Sequence, residues 1–210
     1  MSTPRFVADL HLGHRNIYKY RPVFESTLHN DLYFMKLLSK IATKRDSLYF
    51  LGDIAFDENY LNFIADLPGT KILIPGNHCT EYIPMRKLVD VYDDVHSLLK
   101  YKEFWLSHAP IHPDELRGKK NVHGHVHAAS VEDIRYMNVS VDSSFSAFKP
   151  RTLEEVRSGF AQATSLDSIY RGIPQEDCLK TIMSDPLTRE AYVDALIECK
   201  RIESKEQKQE

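Results

Sequence analysis

The chain has 210 residues, of which 42% are hydrophobic and 27% charged, a composition that fits a folded globular protein and excludes a disordered or fibrous chain. Its formal net charge of -3 argues against a protein that holds long nucleic acid by its phosphates, and three cysteines without paired spacing argue against a disulfide framework or a cysteine zinc site. No apolar run approaches the length of a bilayer span, and Met1 to Arg5 lacks the apolar core of a signal peptide, so we expect a cytoplasmic protein without membrane partners.

The first half of the chain alternates strand and helix patterns. Short apolar runs predict strands at Phe6 to Ala8, Ser47 to Leu51 and Lys71 to Ile74. Capping residues and apolar spacing predict helices from Ser26 or Thr27 to about Thr43, over Tyr60 to Leu67 and over Ile83 to Val89. Strands that alternate with helices indicate a mostly parallel sheet with right-handed crossovers.

Strand patterns continue in the second half and then stop. They cover Val95 to Leu99, Phe104 to Leu106 and Met137 to Val141. We therefore predict one domain over residues 1–150 and a helical extension over residues 151–210.

The extension begins with a capping box at Thr152 to Glu155 and has an Asp-Pro helix start at Asp185. These signals predict two or three helices, no strand, and a frayed tail from Lys200. We expect the helices to pack on one face of the sheet, with a dimerisation element or a substrate cap as the alternatives.

Five segments of the chain end in potential metal ligands. They are Asp9 with His11, Asp53, Asn77 with His78, His108, and His125 with His127. In an extended backbone residues i and i+2 point to the same side, so Asp9 and His11 can hold one ion. Ligands in an open α/β sheet collect at the carboxyl ends of the strands. Without His78 these residues are seven donors, which exceed what one ion needs, so a site for two divalent ions is predicted.

These blocks resemble, in order, the motifs of the calcineurin-like metallophosphoesterases: Asp-x-His, Gly-Asp, Gly-Asn-His, a lone His, and Gly-His-x-His. They stand here as Asp9-Leu-His11, Gly52-Asp53, Gly76-Asn77-His78, His108 and Gly124-His125-Val126-His127. The run from Asp9 to Ile17 is similar to the start of the small bacterial and phage branch of that family. The resemblance implies an α/β fold, an α/β/β/α sandwich with mixed sheets, which here carries the C-terminal helical extension.

The resemblance also implies a role for each ligand. The first ion would be held by Asp9, His11 and His127, and the second by Asn77, His108 and His125, with Asp53 bridging both. Manganese is the expected metal, and iron, zinc and nickel are alternatives for mixed imidazole and carboxylate ligation.

Three further residues are candidates for contact with the substrate. His78 is predicted to be the acid that protonates the leaving group, and His14 and Arg15 are candidate substrate ligands. The chain departs from the family pattern at Cys79, where an acidic residue is usual, and at Ala55-Phe56-Asp57, where a glycine-rich continuation is usual.

The implied activity is hydrolysis of a phosphoester by attack of a metal-bound hydroxide, and the acidic charge balance favours a small phosphodiester or nucleotide as substrate. A nuclease acting on DNA or RNA ends, a phosphomonoesterase or protein phosphatase, and an inert scaffold are the alternatives. A nuclease groove would have to use the basic residues Arg15, Lys19, Arg21, Arg117, Lys119 and Lys120. We expect specificity to come from the loops Asn16 to Glu25 and Ile111 to Asn121, and the oligomeric state stays open.

Overall fold

Two mixed β-sheets pack face to face in the computed structural model, which describes residues 3–206. The strands of these residues are β1 (Pro4–Val7), β2 (Ser47–Phe50), β3 (Thr70–Leu73), β4 (Asp94–Val95), β5 (Leu99–Tyr101), β6 (Phe104–Leu106), β7 (Lys120–His123), β8 (Tyr136–Asn138) and β9 (Arg151–Thr152). The first sheet has the order β4-β3-β2-β1-β9, in which only β9 pairs antiparallel to its neighbour. The second has the order β5-β6-β7-β8, with β5 antiparallel to β6 and the other pairs parallel.

Helices cover the first sheet and close the sandwich. The helices of the described residues are α1 (Ile17–Tyr20), α2 (Thr27–Ile41), α3 (Asn59–Asp66), α4 (Cys79–Tyr82), α5 (Met85–Val89), α6 (Leu153–Gln162), α7 (Gln175–Ser184) and α8 (Pro186–Glu206). Short 3-10 turns lie at Pro113–Leu116 and Leu166–Ser168. Among these helices, none is both long and apolar enough to cross a membrane.

Alternate residues of the central strands enter two different cores, as the two-residue period of a strand requires. Val7, Phe50 and Leu73 belong to the core that includes residues of α2, α3 and α8. Phe6, Tyr49 and Ile72 belong to the core between the two sheets. Both faces of the first sheet are therefore buried, which is why its strands are apolar throughout. The predicted α/β sandwich with mixed sheets is confirmed.

Helices α7 and α8 pack on the outer face of the first sheet, where α8 lies against α2, whereas α6 contributes to the core between the two sheets. The Tyr192 hydroxyl donates to the Val23 carbonyl oxygen at 2.7 Å, and Lys36 Nζ pairs with Glu198 Oε2 at 2.5 Å. Cys199 is buried in the same contact. The chain is helical to Glu206, and the predicted fraying from Lys200 stays a prediction. The remainder of that prediction, residues 207–210, lies outside the described part of the chain.

Three strand predictions are wrong, at places where the chain passes from one sheet to the other or forms a strand of only two residues. Residues 151–210 were expected to contain no strand, but Arg151 and Thr152 form β9 beside β1, and two residues are too few to give a strand pattern. The predicted strand Val95 to Leu99 is two strands: β4 joins the first sheet and β5 the second. The predicted strand Met137 to Val141 ends at Asn138 in β8, because Val141 N–H donates to Ala8 O at 3.2 Å beyond the end of β1.

Strand β7 had no apolar pattern from which to predict it. Its inward residue Asn121 is buried, but the side chain is satisfied: Nδ2 donates to Trp105 O at 3.0 Å and to Ser107 Oγ at 2.9 Å, and Oδ1 accepts from Ile111 N–H at 3.0 Å. A fully bonded polar group can replace an apolar one in a core.

Candidate metal centre

The predicted ligands lie just beyond the carboxyl ends of strands from both sheets. The first sheet contributes Asp9 and His11 after β1, Asp53 after β2, and Asn77 after β3. The second contributes His108 after β6, and His125 and His127 after β7. The structure therefore brings all seven predicted donors to one edge of the sandwich, where ligands of α/β sheets usually collect.

Five of the seven residues have left-handed backbone conformations that residues other than glycine rarely adopt. They are Asp9 (φ 61°), His11 (φ 55°), Asp53 (φ 52°), His125 (φ 71°) and His127 (φ 50°). Each such residue costs on the order of 1–3 kcal/mol and persists only where its surroundings over-determine it. Here Asp9 N–H donates to Gly52 O and His11 N–H donates to Asp53 O, both at 3.0 Å. Strain concentrated in this way is typical of a functional site.

The first group of donors consists of Asp9, His11 and His127, whose ligand atoms lie within 4.8 Å of one another. Its clearest feature is His11 Nε2, which is buried and has no hydrogen-bond partner among the described residues. A buried polar atom without a partner costs free energy unless a water or an ion satisfies it. The donor set of one carboxylate and two imidazoles fits a divalent transition metal.

The second group lies next to the first and shares Asp9 with it. Asp9, Asp53 and His108 offer ligand atoms within 4.8 Å of one another, and Asp53 Oδ2 lies 3.3 Å from His108 Nε2. Asn77 Oδ1 is 3.0 Å from His108 Nε2 and 2.9 Å from His125 Nδ1. Asp9 is the residue common to both groups, whereas Asp53 belongs to the second, and the assignment of Asp53 as the bridging ligand stays a prediction.

Two motif glycines allow the backbone to approach these side chains closely. A Cβ atom on Gly76 would lie 2.2 Å from Asp53 Oδ1, and a Cβ atom on Gly52, which has a φ of +87°, would lie 2.3 Å from His108 Nδ1. Such distances are far below van der Waals contact. Any side chain at either position would displace a proposed ligand.

Hydrogen bonds from the surrounding chain fix the orientation of two imidazoles. His108 Nδ1 donates to the Leu51 carbonyl oxygen at 2.8 Å, and His127 Nδ1 donates to Asp142 Oδ2 at 2.9 Å. In each ring the other nitrogen is left for a metal, as in the carboxylate–histidine pairs around zinc.

Arg21 in turn binds Asp142. Neither residue of this pair belongs to the sequence motifs, although the pair is part of the site. Arg21 Nε and Nη2 donate to the two Asp142 oxygens at 2.7 and 2.8 Å, and Arg21 also donates to the backbone oxygens of Asp9 and Leu10. Burial would raise the pKa of Asp142, but Arg21 and His127 outweigh burial and hold it well below its usual range. Arg21 is buried, so it does not face an anionic substrate as the nuclease alternative requires.

Burial sets the charge state of the ligands themselves. It raises the pKa of Asp9 to about 6 and lowers the pKa of His11 to about 2, so His11 is a neutral imidazole ready to bind a metal. Burial acts against the charges of Asp53 and His108, yet their mutual hydrogen bond and attraction prevail, which lowers the pKa of Asp53 and raises that of His108. The carboxylates thus favour a positive charge beside them, which a divalent ion would supply.

His78 lies at the rim of the centre with a carboxylate partner of its own. Its Nδ1 donates to Glu81 Oε2 at 2.7 Å, its side chain is 38% exposed, and its backbone N–H donates to Asp53 Oδ1 at 3.0 Å. The buried Cys79 sulfur accepts from the N–H groups of Asp53 and Gly76, both at 3.2 Å, so it joins the ends of two loops. The sequence analysis did not identify Glu81. The feature that could have indicated it is its position in α4, three residues after His78, which precedes that helix.

The two candidate substrate ligands are placed differently. The His14 ring lies 5.8 Å from the His11 ring, and its buried Nδ1 has no partner among the described residues. Arg15 is exposed, and its carbonyl oxygen accepts from Thr27 Oγ1 at 3.0 Å. The structure therefore brings His14, but not the Arg15 side chain, to the centre.

A cavity of about 460 Å³ opens beside the first group of donors. His11, His14 and His127 form its inner end, and residues of α1 and of the segment 173–178 form its sides. The loop Asn16 to Glu25 thus contributes lining residues to the cavity, and its role in specificity stays a prediction. The loop Ile111 to Asn121 supplies no lining residue among those the structure describes; its place is taken by the C-terminal extension.

Comparisons with known proteins support the fold and assign no activity. No protein-family model matches the chain. It is 29% identical over 167 residues to the Gene 66 protein of Mycobacterium phage L5, a match that covers 62% of this chain and 80% of that protein. The crystal structure of AQ665 from Aquifex aeolicus, a protein of unknown function, matches with a TM-score of 0.59 and 26% identity over 75% of this chain and 99% of that one. The Pseudomonas putida nuclease MPE matches with a TM-score of 0.38 and 25% identity over 59% of this chain and 60% of that one.

Proposed function

We propose that the protein is a hydrolase of phosphoesters that depends on two divalent ions. The proposed ligands of the first ion are Asp9, His11 and His127, and those of the second are Asn77, His108 and His125, with Asp53 bridging. The observation that carries the proposal is that the donors form two adjacent groups that share Asp9, and that His11 Nε2 in the first group is buried without a hydrogen-bond partner among the described residues.

The charge of such a site supports a phosphate as the reacting group. Two divalent ions would be offset by the carboxylates Asp9 and Asp53, while Asp142 is already neutralised by Arg21. The site would keep about two positive charges, because bound ions are the largest local charges in a metal site. When bound, the ions would also lower the pKa of a water to make it a nucleophile near neutral pH. Manganese is the proposed metal, with iron, zinc and nickel as alternatives.

His78 is the proposed proton donor to the leaving group. The Nδ1 bond to Glu81 orients the ring, and Nε2 is then left to face the substrate.

A small substrate fits this chain better than a polynucleotide does. The loss of Arg21 to a buried ion pair leaves fewer basic residues for a nucleic-acid groove, and the net charge is negative. We therefore propose a small phosphodiester or nucleotide substrate in the cytoplasm, and end-directed cleavage of DNA or RNA remains the second candidate.

The test is hydrolysis of bis(p-nitrophenyl) phosphate by protein stripped of metal and reloaded with Mn²⁺, Fe²⁺, Zn²⁺ or Ni²⁺. Chelation should abolish activity and Mn²⁺ should restore it. Asp53→Asn should lower kcat/KM on the order of 10³-fold, about 4 kcal/mol of transition-state stabilisation. Asp57→Asn is the matched control, since that carboxylate caps Asn59 N–H in the same loop at 2.9 Å. Full activity in the metal-free protein would contradict the proposal.

A further inference from the structure

The cavity beside the first group of donors is built by three distant parts of the chain. Its side walls are formed by α1 and the residues after it, by the turn that precedes β9, and by the segment that enters α7. The residues that shape these walls are Ile17, Tyr20, Phe148, Ile173, Gln175 and Cys178. The C-terminal extension is therefore part of the cavity and not only a cover for the sheet.

The walls are apolar and carry no free charge among the described residues. Ile17, Phe148 and Cys178 are buried, and the charged groups on the wall, Arg21 and Asp142, neutralise each other. A surface of this kind suits a flat apolar group and disfavours a second phosphate, whose charge would lose its water without compensation. The volume of about 460 Å³ lies in the range of pockets for single small molecules.

Two polar groups at the cavity can orient such a ligand. His14 Nδ1 is buried without a partner among the described residues, and the exposed Gln175 carboxamide is in the segment that enters α7. The Tyr20 ring is 74% exposed on the same wall, where an aromatic ligand could stack on it. A few convergent polar groups in an apolar pocket are the usual design of a small-molecule site.

The cavity does not include His78, which instead contacts Phe56 and Glu81. The His78 ring lies 6.4 Å from the ring of His11, which lines the cavity, so a phosphate at the metal centre could carry one organic group in the cavity and another next to His78. A phosphomonoester has one organic group and can use only one of these places. A phosphodiester has two organic groups and can use both.

We propose, on the basis of the proposed function, that the substrate is a small phosphodiester whose retained ester group is a nucleoside or another aromatic group bound in this cavity. Water supplies the oxygen of the new P–O bond. The P–O bond to the other ester group breaks, and that group leaves as an alcohol after taking a proton from His78. The product in the cavity is the phosphomonoester of the aromatic group.

The test compares phosphodiesters that share one leaving group, in the protein loaded with Mn²⁺. Release of p-nitrophenolate is measured from methyl p-nitrophenyl phosphate and from thymidine 5'-p-nitrophenyl phosphate, with p-nitrophenyl phosphate as the monoester. We expect kcat/KM for the thymidine ester to exceed that for the methyl ester by about 10-fold to 100-fold, since burial of one apolar group discriminates on that scale. The monoester should be the poorest substrate.

Gln175→Trp places a large ring at the exposed edge of the cavity without disturbing the core. It should reduce the ratio of the thymidine to the methyl kcat/KM about 10-fold or more. Glu176→Trp, the same change at the next exposed position outside the cavity, should leave the ratio unchanged. Equal kcat/KM for the two diesters, or preference for the monoester, would overturn the inference while leaving the proposed function intact. Absence of hydrolysis of every ester with every metal would overturn both.

Discussion

The ligands of the metal centre come from short motifs at strand ends, whereas the walls of the neighbouring cavity come from segments more than 100 residues apart. The centre is polar and strained, with Asp9, His11, Asp53 and His108 buried and side chains held by backbone bonds such as His108 to Leu51. The walls of the cavity are mostly apolar and include exposed side chains such as Tyr20. Changes in the centre should therefore impair catalysis or folding, and changes in the cavity should alter selectivity.

Arg21 contributes to both regions and should give the largest effect. Arg21→Leu removes the bidentate partner of Asp142 and the donors to the Asp9 and Leu10 carbonyl oxygens, so the free energy of unfolding should fall by about 3–5 kcal/mol. Urea unfolding measures the change. Arg157→Leu, which breaks an exposed pair with Glu103, is the matched control and should cost about 0.2–1 kcal/mol. Equal costs for the two variants would show that Arg21 does not act as a buried anchor.

A substitution at Asp142 should test metal binding separately from the stability of the fold. Asp142→Asn keeps the shape of the side chain but weakens its hold on His127, so Mn²⁺ affinity should fall by about 10-fold to 100-fold. Isothermal titration calorimetry gives the affinity, and Asp133→Asn, which alters a surface pair with Arg135, is the control. Unchanged Mn²⁺ binding in Asp142→Asn would show either that His127 is not a metal ligand or that Asp142 does not orient it.

Tyr192 tests how firmly the C-terminal extension is attached. Tyr192→Phe removes the hydrogen bond to Val23 O and should lower the free energy of unfolding by about 0.5–1.5 kcal/mol. Tyr170→Phe, which removes an exposed bond to Gln162, should cost less. If the two substitutions cost the same, the bond between α8 and the loop before α2 does not help to hold the extension.

His29 should give the smallest effect, a pH dependence outside the metal centre. Burial lowers its pKa, so as the pH falls below about 6.5 the unfolded chain takes up this proton before the folded one does. The free energy of unfolding should then decrease with falling pH, and His29→Gln should show a smaller decrease between pH 7 and pH 5. His112→Gln, at an exposed position, serves as the control. Identical slopes for His29→Gln and the parent protein would contradict the expected linkage.

The placement of the donor residues at one edge was accessible from sequence because each donor block is local. Asp9 with His11 or Gly76 with Asn77 occupies a few adjacent positions, and strand ends bring such blocks to one sheet edge whatever the loops between them do. The alternation of strands and helices in the first half was predictable for the same reason, since apolar runs and capping signals act over short spans, whereas the sandwich of two sheets was implied by the family resemblance.

The parts that sequence did not predict depend on contacts between distant residues. The support of His127 by Asp142 and Arg21 spans 121 positions, and Arg21 alone looks like a surface cation. Strand β9 is two residues long, and the cavity wall from Ile173 to Cys178 carries no motif. Such features appear only once tertiary packing is known.

The central claim is that this edge of the sandwich holds two divalent ions, and a crystal grown with Mn²⁺ tests it directly. Anomalous scattering at the manganese edge should show two peaks per chain, about 3.5 to 4 Å apart. One should lie among Asp9, His11 and His127, and the other near Asn77, His108 and His125. A protein that hydrolyses bis(p-nitrophenyl) phosphate but shows no anomalous peak at these residues would contradict the account.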